Sequence, residues 1–245
     1  RFHTRDNNPQ YSIEKTKMAT ELARSRGLRH LYPRTLQRLA SEPLYDGDWS
    51  RLMNEAITIL KEDGNMSELA NAWSNMGVGL RKRRRQGDLQ KSRECYIIAQ
   101  RLCKNINNRL LDAKTSMNLA NLEVMFGNQR GALRNYHRSY ELYRRLGKME
   151  DTCLLLGNMA SCYIHMEEVA KATRMLKRCE TLLQRFKGKS GLEMAWIIYA
   201  ANTAVVLCLY DRPKQAVQYA KSAWEKAKNW DQDLLYPFLA VIYIE

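Results

Sequence analysis

The chain has 245 residues, enough to bury the core of one or two compact domains. Its formal charge of +14 favours an acidic partner, either nucleic acid, an anionic membrane surface or an acidic protein patch, without choosing among them. The sequence shows no secretion signal and no apolar run of the roughly 20 residues that cross a membrane, so we expect a soluble chain without a membrane partner.

The six cysteines and four histidines form no pattern typical of a metal site or a disulfide framework. The cysteines lie on helix-like segments without a C-x-x-C pair, which indicates buried thiols in a reducing, cytoplasmic compartment. The histidines are scattered, and phosphate-binding, nucleophile-elbow and zinc-protease motifs are missing from the sequence. We therefore expect this segment to be no enzyme and to need no cofactor or metal.

A regular repeat runs through most of the chain. Five small or apolar residues recur at spacings of 40, 40, 40 and 44 residues, namely Leu52, Ser92, Ala132, Ala172 and Ala216. Five places before each stands a turn residue, namely Gly47, Gly87, Gly127, Glu167 and Asp211. The segments between the turns carry apolar residues at spacings of three and four, which predicts two amphipathic helices per unit and no strands.

The repeat predicts how the units follow one another along the chain. Residues 12–30 read as the second helix of an earlier unit, about five units follow between 34 and 227, and 231–245 read as the first helix of a later unit. Pro43 is expected to end one first helix early. We expect a single helical-repeat domain over residues 1–245 that is part of a longer protein. One helix pair cannot cover its own apolar face, so neighbouring pairs must stack into a solenoid with a concave side.

The helix pairs also carry a motif. Trp73-x-x-Met76-Gly77-x-x-Leu80 precedes Ser92-x-x-x-Tyr96, and Leu156-x-x-Met159-Ala160-x-x-Tyr163 precedes Ala172-x-x-x-Leu176. This motif resembles the tetratricopeptide repeat, W-x-x-L-G-x-x-Y followed by A-x-x-x-F, whose usual period is about 34 residues. The longer period is similar to that of kinesin light chains, Pins/LGN-type adaptors and the sensor domains of bacterial maltose-activator and Rap-type regulators. The resemblance implies an all-α, right-handed superhelical solenoid of stacked antiparallel helix pairs.

An asparagine recurs in four first helices, two residues before a small residue: Asn75, Asn118, Asn158 and Asn202. When that small residue (Gly77, Ala120, Ala160 or Ala204) is numbered position 8, the asparagine occupies position 6, away from the packing positions 4, 7, 8 and 11. Stacking then aligns the amides along the inner wall. An amide both donates and accepts, so it can hold the backbone of an extended peptide, as the resemblance implies. Alternatively, the amides bond to the neighbouring repeat and only hold the stack together.

The other wall positions predict a groove that is basic at its N-terminal end and apolar at its C-terminal end. They run through Arg34, Gln37, Arg38 and Ser41; Asn71, Ser74, Arg81 and Lys82; Lys114, Met117, Asn121, Val124 and Met125; Leu154, Gly157, Ser161, Ile164 and His165; and Ile198, Ala201, Val205, Cys208 and Leu209. A matching partner is a protein or peptide with acidic and apolar portions. We assign partner contact to the four asparagines and to Arg38, Arg81, Lys82, Lys114 and Asn121. Alternatively, the apolar end packs against residues outside this segment.

The basic run RKRRR at residues 81–85 has three interpretations. Arg83, Arg84 and Arg85 are candidates for contact with RNA or DNA phosphates. The run is also compatible with a solvated helix end that suits the helix dipole, or with docking to an acidic patch of the parent protein. The sequence therefore favours a non-enzymatic scaffold that binds a partner segment in the concave groove. A ligand-sensing domain of a multidomain regulator and an RNA-binding repeat module are the alternatives.

Overall fold

The computed structural model describes residues 9–42, 48–83, 85–188 and 190–227. These residues form eleven α-helices and no strand, so the predicted all-α class is confirmed. The helices are α1 (Pro9–Ser25), α2 (Tyr32–Ala40), α3 (Trp49–Glu62), α4 (Met66–Arg83), α5 (Asp88–Asn105), α6 (Arg109–Met125), α7 (Gln129–Arg145), α8 (Met149–His165), α9 (Val169–Arg185), α10 (Glu193–Leu209) and α11 (Pro213–Ala227).

The helices from α2 to α11 make five consecutive pairs, each a first helix followed by a second helix, as the repeat predicted. Helix α1 matches the second helix expected over residues 12–30, and it packs against α2. The expected later helix at 231–245 and the predicted roles of Pro43 and Gly47 lie outside the described residues.

Three-residue turns between 17-residue helices explain the period of 40. Helices α6, α7, α8 and α9 each have 17 residues, and residues 126–128, 146–148 and 166–168 connect them. The middle residue of each turn has a positive φ, at Gly127 (71°), Gly147 (67°) and Glu167 (60°). The same conformation occurs at the predicted turn residues Gly87 and Asp211. The spacing of 44 arises because seven residues, instead of three, separate α9 from α10.

In each helix pair, the two helices pack against each other at a small residue, which is position 8 of the first helix. Ala120, Ala160 and Ala204 are fully buried, and Gly77 lies against the buried Tyr96 ring. A β-carbon added to Gly77 would stand 2.7 Å from Cε1 of Tyr96, and Ser92 Oγ donates to the Gly77 carbonyl at 2.7 Å. The close approach of the second helix therefore explains why the repeat motif has a glycine at this position.

The chain divides into two compact units, an N-terminal unit (Arg1–Thr115) and a C-terminal unit (Ser116–Glu245). In the N-terminal unit, α1 to α5 pack in sequence, each on the next. In the C-terminal unit, α7 packs on α8, α8 on α9, and α10 on α8, α9 and α11. The expected single domain over residues 1–245 remains a prediction.

The cysteines occupy the core, as the sequence predicted. Cys95, Cys103, Cys153, Cys162 and Cys179 are buried, and Cys208 is half-buried. Burial raises the pKa of Cys95 and that of Cys162 to about 12, so the reactive thiolate is scarce at neutral pH. Within the described part of the chain, no helix is long and apolar enough to cross a bilayer.

Alkylation tests this burial. Iodoacetamide at mildly alkaline pH should modify Cys208 first in the folded chain, because its thiol is the most accessible of the six. Peptide mass mapping against a Cys208→Ser control measures the order of modification. Equal rates at Cys95 and Cys208 in the folded chain would contradict the described packing.

The turn conformation makes a paired prediction. Gly127→Ala should lower the free energy of unfolding by about 1 kcal/mol, because a β-carbon is disfavoured at positive φ. No heavy atom lies within 4 Å of the β-carbon that would be added, so the cost is conformational. Glu167→Gly, in the equivalent turn, should raise the free energy of unfolding by a comparable amount. Urea unfolding of both variants measures the two changes, and shifts of the same sign would contradict the assigned turns.

Candidate functional site

One accessible line of side chains runs along each first helix of the C-terminal unit. We call these residues of α8 and α10 the first-helix stripe: Leu154, Asn158, Ser161 and His165, with Ile198, Asn202, Val205 and Leu209. They recur every three or four residues, as expected for one face of a helix, and all eight are at least partly exposed. Positions 4 and 8 of the same two helices are fully buried. The stripe is therefore the accessible face of these two first helices.

Position 5 does not reach this surface in four of the first helices, contrary to the sequence-based expectation. The sequence pattern places Gln37, Ser74, Gly157 and Ala201 on the wall, but all four are buried, and only Met117, at position 5 of α6, is partly exposed among the described residues. A β-carbon added to Gly157 would stand 2.6 Å from Cγ2 of Ile198 on α10. In α8, position 5 is thus covered by the first helix that packs beside it, and the wall is narrower there than expected.

Asn202 joins two neighbouring first helices. Its side-chain amide donates to the Gly157 carbonyl of α8 at 3.1 Å and to the Ile198 carbonyl of its own helix at 3.0 Å. Asn75 makes the same connection in the N-terminal unit, where it donates to Oε1 of the buried Gln37 at 3.1 Å. In both cases an amide at position 6 binds position 5 of the preceding repeat. These two asparagines therefore hold the stack together.

The remaining asparagines differ from these two. Asn121 accepts a 2.6 Å hydrogen bond from the hydroxyl of the buried Tyr136, which ties α6 to α7. Asn118 is only 8% exposed. Asn158 is partly exposed, and its amide makes no hydrogen bond to another described residue. Among the four repeated asparagines, Asn158 is therefore the best placed to contact a partner.

The predicted basic contacts of the N-terminal unit lie in a mixed environment. Arg38 is paired with Glu42 at 3.1 Å, and Ser12 Oγ also donates to this buried carboxylate. The Nε atom of Arg81 is buried without a hydrogen-bond partner among the described residues. Lys82 and Lys114 are exposed. The basic end of the predicted groove thus contains an acidic group that the sequence pattern did not reveal.

A cavity of about 360 Å³ in the N-terminal unit brings three predicted residues together: Asn75, Lys82 and Arg83. The Arg83 guanidinium lies 4.8 Å above the centre of the Trp49 ring, which is a cation–π arrangement. The exposed Arg85 donates its backbone N–H to Asp88 at 3.2 Å, and Arg84 lies outside the described residues. The basic run is therefore partly engaged by its own helix pair.

A second surface was not identified from the sequence. Aromatic residues of α10 and α11, Trp196, Tyr199 and Tyr219, line a groove between α9 and α11. The spacing of 44 is the one sequence signal for it, because the longer connection precedes α10.

In the described parts of the chain, no three His, Cys, Asp or Glu side chains are placed to share a metal ion.

The different surroundings of Asn202 and Asn158 predict different effects on stability. Asn202→Ala should lower the free energy of unfolding by about 1 kcal/mol, because the Gly157 carbonyl loses a donor. Asn158→Ala, at the same repeat position, should leave it nearly unchanged. Urea unfolding compares the two variants, and an equal loss would show that both amides are structural.

Similarity to known proteins agrees with this geometry. Residues 68–145 match the tetratricopeptide repeat family model. No curated protein matches the chain. Among solved structures, BtubC (BKLC) from P. vanneervenii has a TM-score of 0.74 at 18% identity, over 91% of this chain and 92% of that chain.

Two further structures share the fold. The repeat sensor protein PH0952 from Pyrococcus horikoshii, a signal transduction ATPase with numerous domains, has a TM-score of 0.59 at 18% identity, covering 94% of this chain and 37% of that chain. A repeat protein from Podosopora anserina, described as a putative kinesin light chain with nearly identical repeats, has a TM-score of 0.53 at 12% identity, covering 93% and 98%. The predicted resemblance to the tetratricopeptide repeat is thereby confirmed, and the putative kinesin light chain repeats share the fold of this chain.

Proposed function

We propose that this chain, a tetratricopeptide-repeat protein, is a non-enzymatic interaction module that binds an extended segment of a partner protein on the first-helix stripe. Repeats of this family generally serve as protein-interaction scaffolds. The C-terminal unit provides the observations from which we propose where the partner segment binds and what chemistry it has.

The observation that carries the proposal is the partly exposed side chain of Asn158. It lies between Leu154 and Ser161 on the stripe, and its amide makes no hydrogen bond to another residue in the part of the chain that the structure describes. An amide supplies two donors and an acceptor, so it can bond the N–H and C=O of a peptide backbone whatever the peptide's side chains. Leu154 and Ile198 add apolar surface that favours an apolar side chain of the partner.

The charge of the chain favours an acidic component in the partner. The formal charge of +14 attracts acidic segments and speeds their association, although it does not select one. The exposed Lys82 and Lys114 remain candidate contacts, as do Arg38, Arg81, Asn118 and Asn121. We assign Asn75 and Asn202 mainly to the stack, because both amides bond to the preceding repeat.

Peptide selection tests this proposal. A phage library of random short peptides, selected on the immobilised full chain, should yield binders that are titrated by calorimetry. Asn158→Ala should weaken these binders by about tenfold, the equivalent of one lost hydrogen bond to a buried or charged partner. The exposed Arg130→Ala serves as the matched control. A selection in which no binder distinguishes Asn158→Ala from the control would contradict the proposed site.

A sensing role is the second candidate. It is favoured by the likeness to the repeat sensor PH0952, which shows a shared fold. Any sequence that adjoins residues 1–245 in the natural protein would decide between the two roles. An attached ATPase or DNA-binding domain would favour sensing, whereas further repeats alone would favour a scaffold.

The nucleic-acid alternative makes a separate prediction. If the basic run binds RNA or DNA, the wild-type chain should be retained on either polymer at low salt, and Arg83→Glu with Arg85→Glu should abolish that retention. Because Arg83 is held over Trp49, we expect no such specific retention. Salt-dependent retention that disappears in the double variant would instead show that the chain binds nucleic acid through the basic run.

A further inference from the structure

The groove between α9 and α11 is a second surface of the C-terminal unit. Two adjoining clefts, of about 560 Å³ and about 310 Å³, share Glu180, Tyr199 and Tyr219 and so form one continuous depression. Helices α9 and α11 form its walls, and α10 forms its floor. We call it the aromatic groove.

The floor of the aromatic groove is aromatic and largely apolar. Tyr199 is 6% exposed and meets the Tyr219 ring edge-to-face, with centroids 6.2 Å apart. Lys226 lies 5.2 Å from the centre of the Trp196 ring, and Val206 and Leu207 extend the floor toward the half-exposed Tyr210. Aromatic rings with few rotatable bonds are typical anchors of protein interfaces.

The groove faces away from the first-helix stripe. Its floor residues on α10, such as Tyr199 and Thr203, follow the stripe residues Ile198 and Asn202 by one position each. At about 100° per residue, the two sets are centred roughly 120° apart around the helix. A partner in the groove would therefore not compete for the amide of Asn158.

The charged residues that line the groove are mainly basic. They are Lys177, Lys187 and Arg212, with the single acidic residue Glu180 where the two clefts meet. Helix α10 has no charged residue after Glu193. Lys177 and Arg212 are exposed at the groove itself. An occupant that complements this surface is apolar along its centre and acidic along both flanks.

The length and chemistry of the floor favour a helix over an extended strand. From Trp196 to Tyr210, the residue that follows α10, the floor spans 14 residue steps, or about 21 Å at the helical rise. A floor of rings and aliphatic groups offers few partners for an exposed peptide backbone, whereas a helix satisfies its own backbone. About four helical turns, with apolar residues spaced by three and four, would match this length.

We propose that the aromatic groove docks an acidic amphipathic helix of a protein partner, independently of the first-helix stripe. The docked helix places its apolar residues over Tyr199, Tyr219 and Tyr210. Its acidic flanks face Lys177 on α9 and Arg212 in the turn that precedes α11. The module then has two interaction surfaces, one for an extended segment and one for a helix.

A display library tests this proposal on the full chain. The probes are helical peptides with glutamate flanks and randomised apolar residues at i, i+4, i+7 and i+11, and selected peptides are titrated by fluorescence anisotropy. Lys177→Glu with Arg212→Glu should weaken them by about tenfold or more. Arg130→Glu with Arg134→Glu, an equal charge change at exposed sites on α7, should weaken them much less.

Three further measurements decide the outcome. Tyr210→Ala, at a half-exposed residue, should weaken binding without unfolding the chain, and a proline in the middle of the peptide should abolish it. Asn158→Ala should leave binding unchanged, which separates this groove from the first-helix stripe. The proposal is overturned if no peptide is enriched, if both double variants weaken binding equally, or if the proline-containing peptide binds as well as its parent.

Discussion

The close approach of two helices at one small residue is the constraint on which the rest of the structure depends. A glycine or alanine at position 8 of each first helix lets the second helix pack against it, as Tyr96 does over Gly77. This packing sets which face of the first helix is buried. The opposite face is therefore left accessible on α8 and α10, and any recognition by these two first helices must use it.

The stack of first helices uses part of its polar surface to hold itself together. Asn202 and Asn75 each bond to position 5 of the preceding repeat, and position 5 is buried as a result of the same packing. An asparagine is a poor helix former, but here its amide satisfies a carbonyl or amide oxygen of the neighbouring helix. The same residue type at the same repeat position therefore serves the stack in one repeat and is available to a partner in another.

Periodicity predicts most of the fold, because the repeat spacing reports helix and turn lengths directly. The spacing alone identifies the turn residues Gly127, Glu167 and Asp211, and all three have a positive φ. The site is less predictable. A helical wheel places Asn158 and Asn202 on one face, but only the position of Gly157 on the neighbouring helix decides that Asn202 is engaged. The spacing of 44 marks the longer connection before α10, but it does not reveal which side chains line the aromatic groove, because its walls and floor come from three different helices.

Partner contact through Asn158, and not through Asn202, is the inference on which the proposed function depends. It is tested most directly by the NMR spectrum of the isotope-labelled chain during titration with a peptide selected for the first-helix stripe. We expect the side-chain amide resonances of Asn158 to shift on binding, while those of Asn202 stay near their positions in the unbound chain. Unshifted Asn158 resonances in a saturated complex would contradict this assignment.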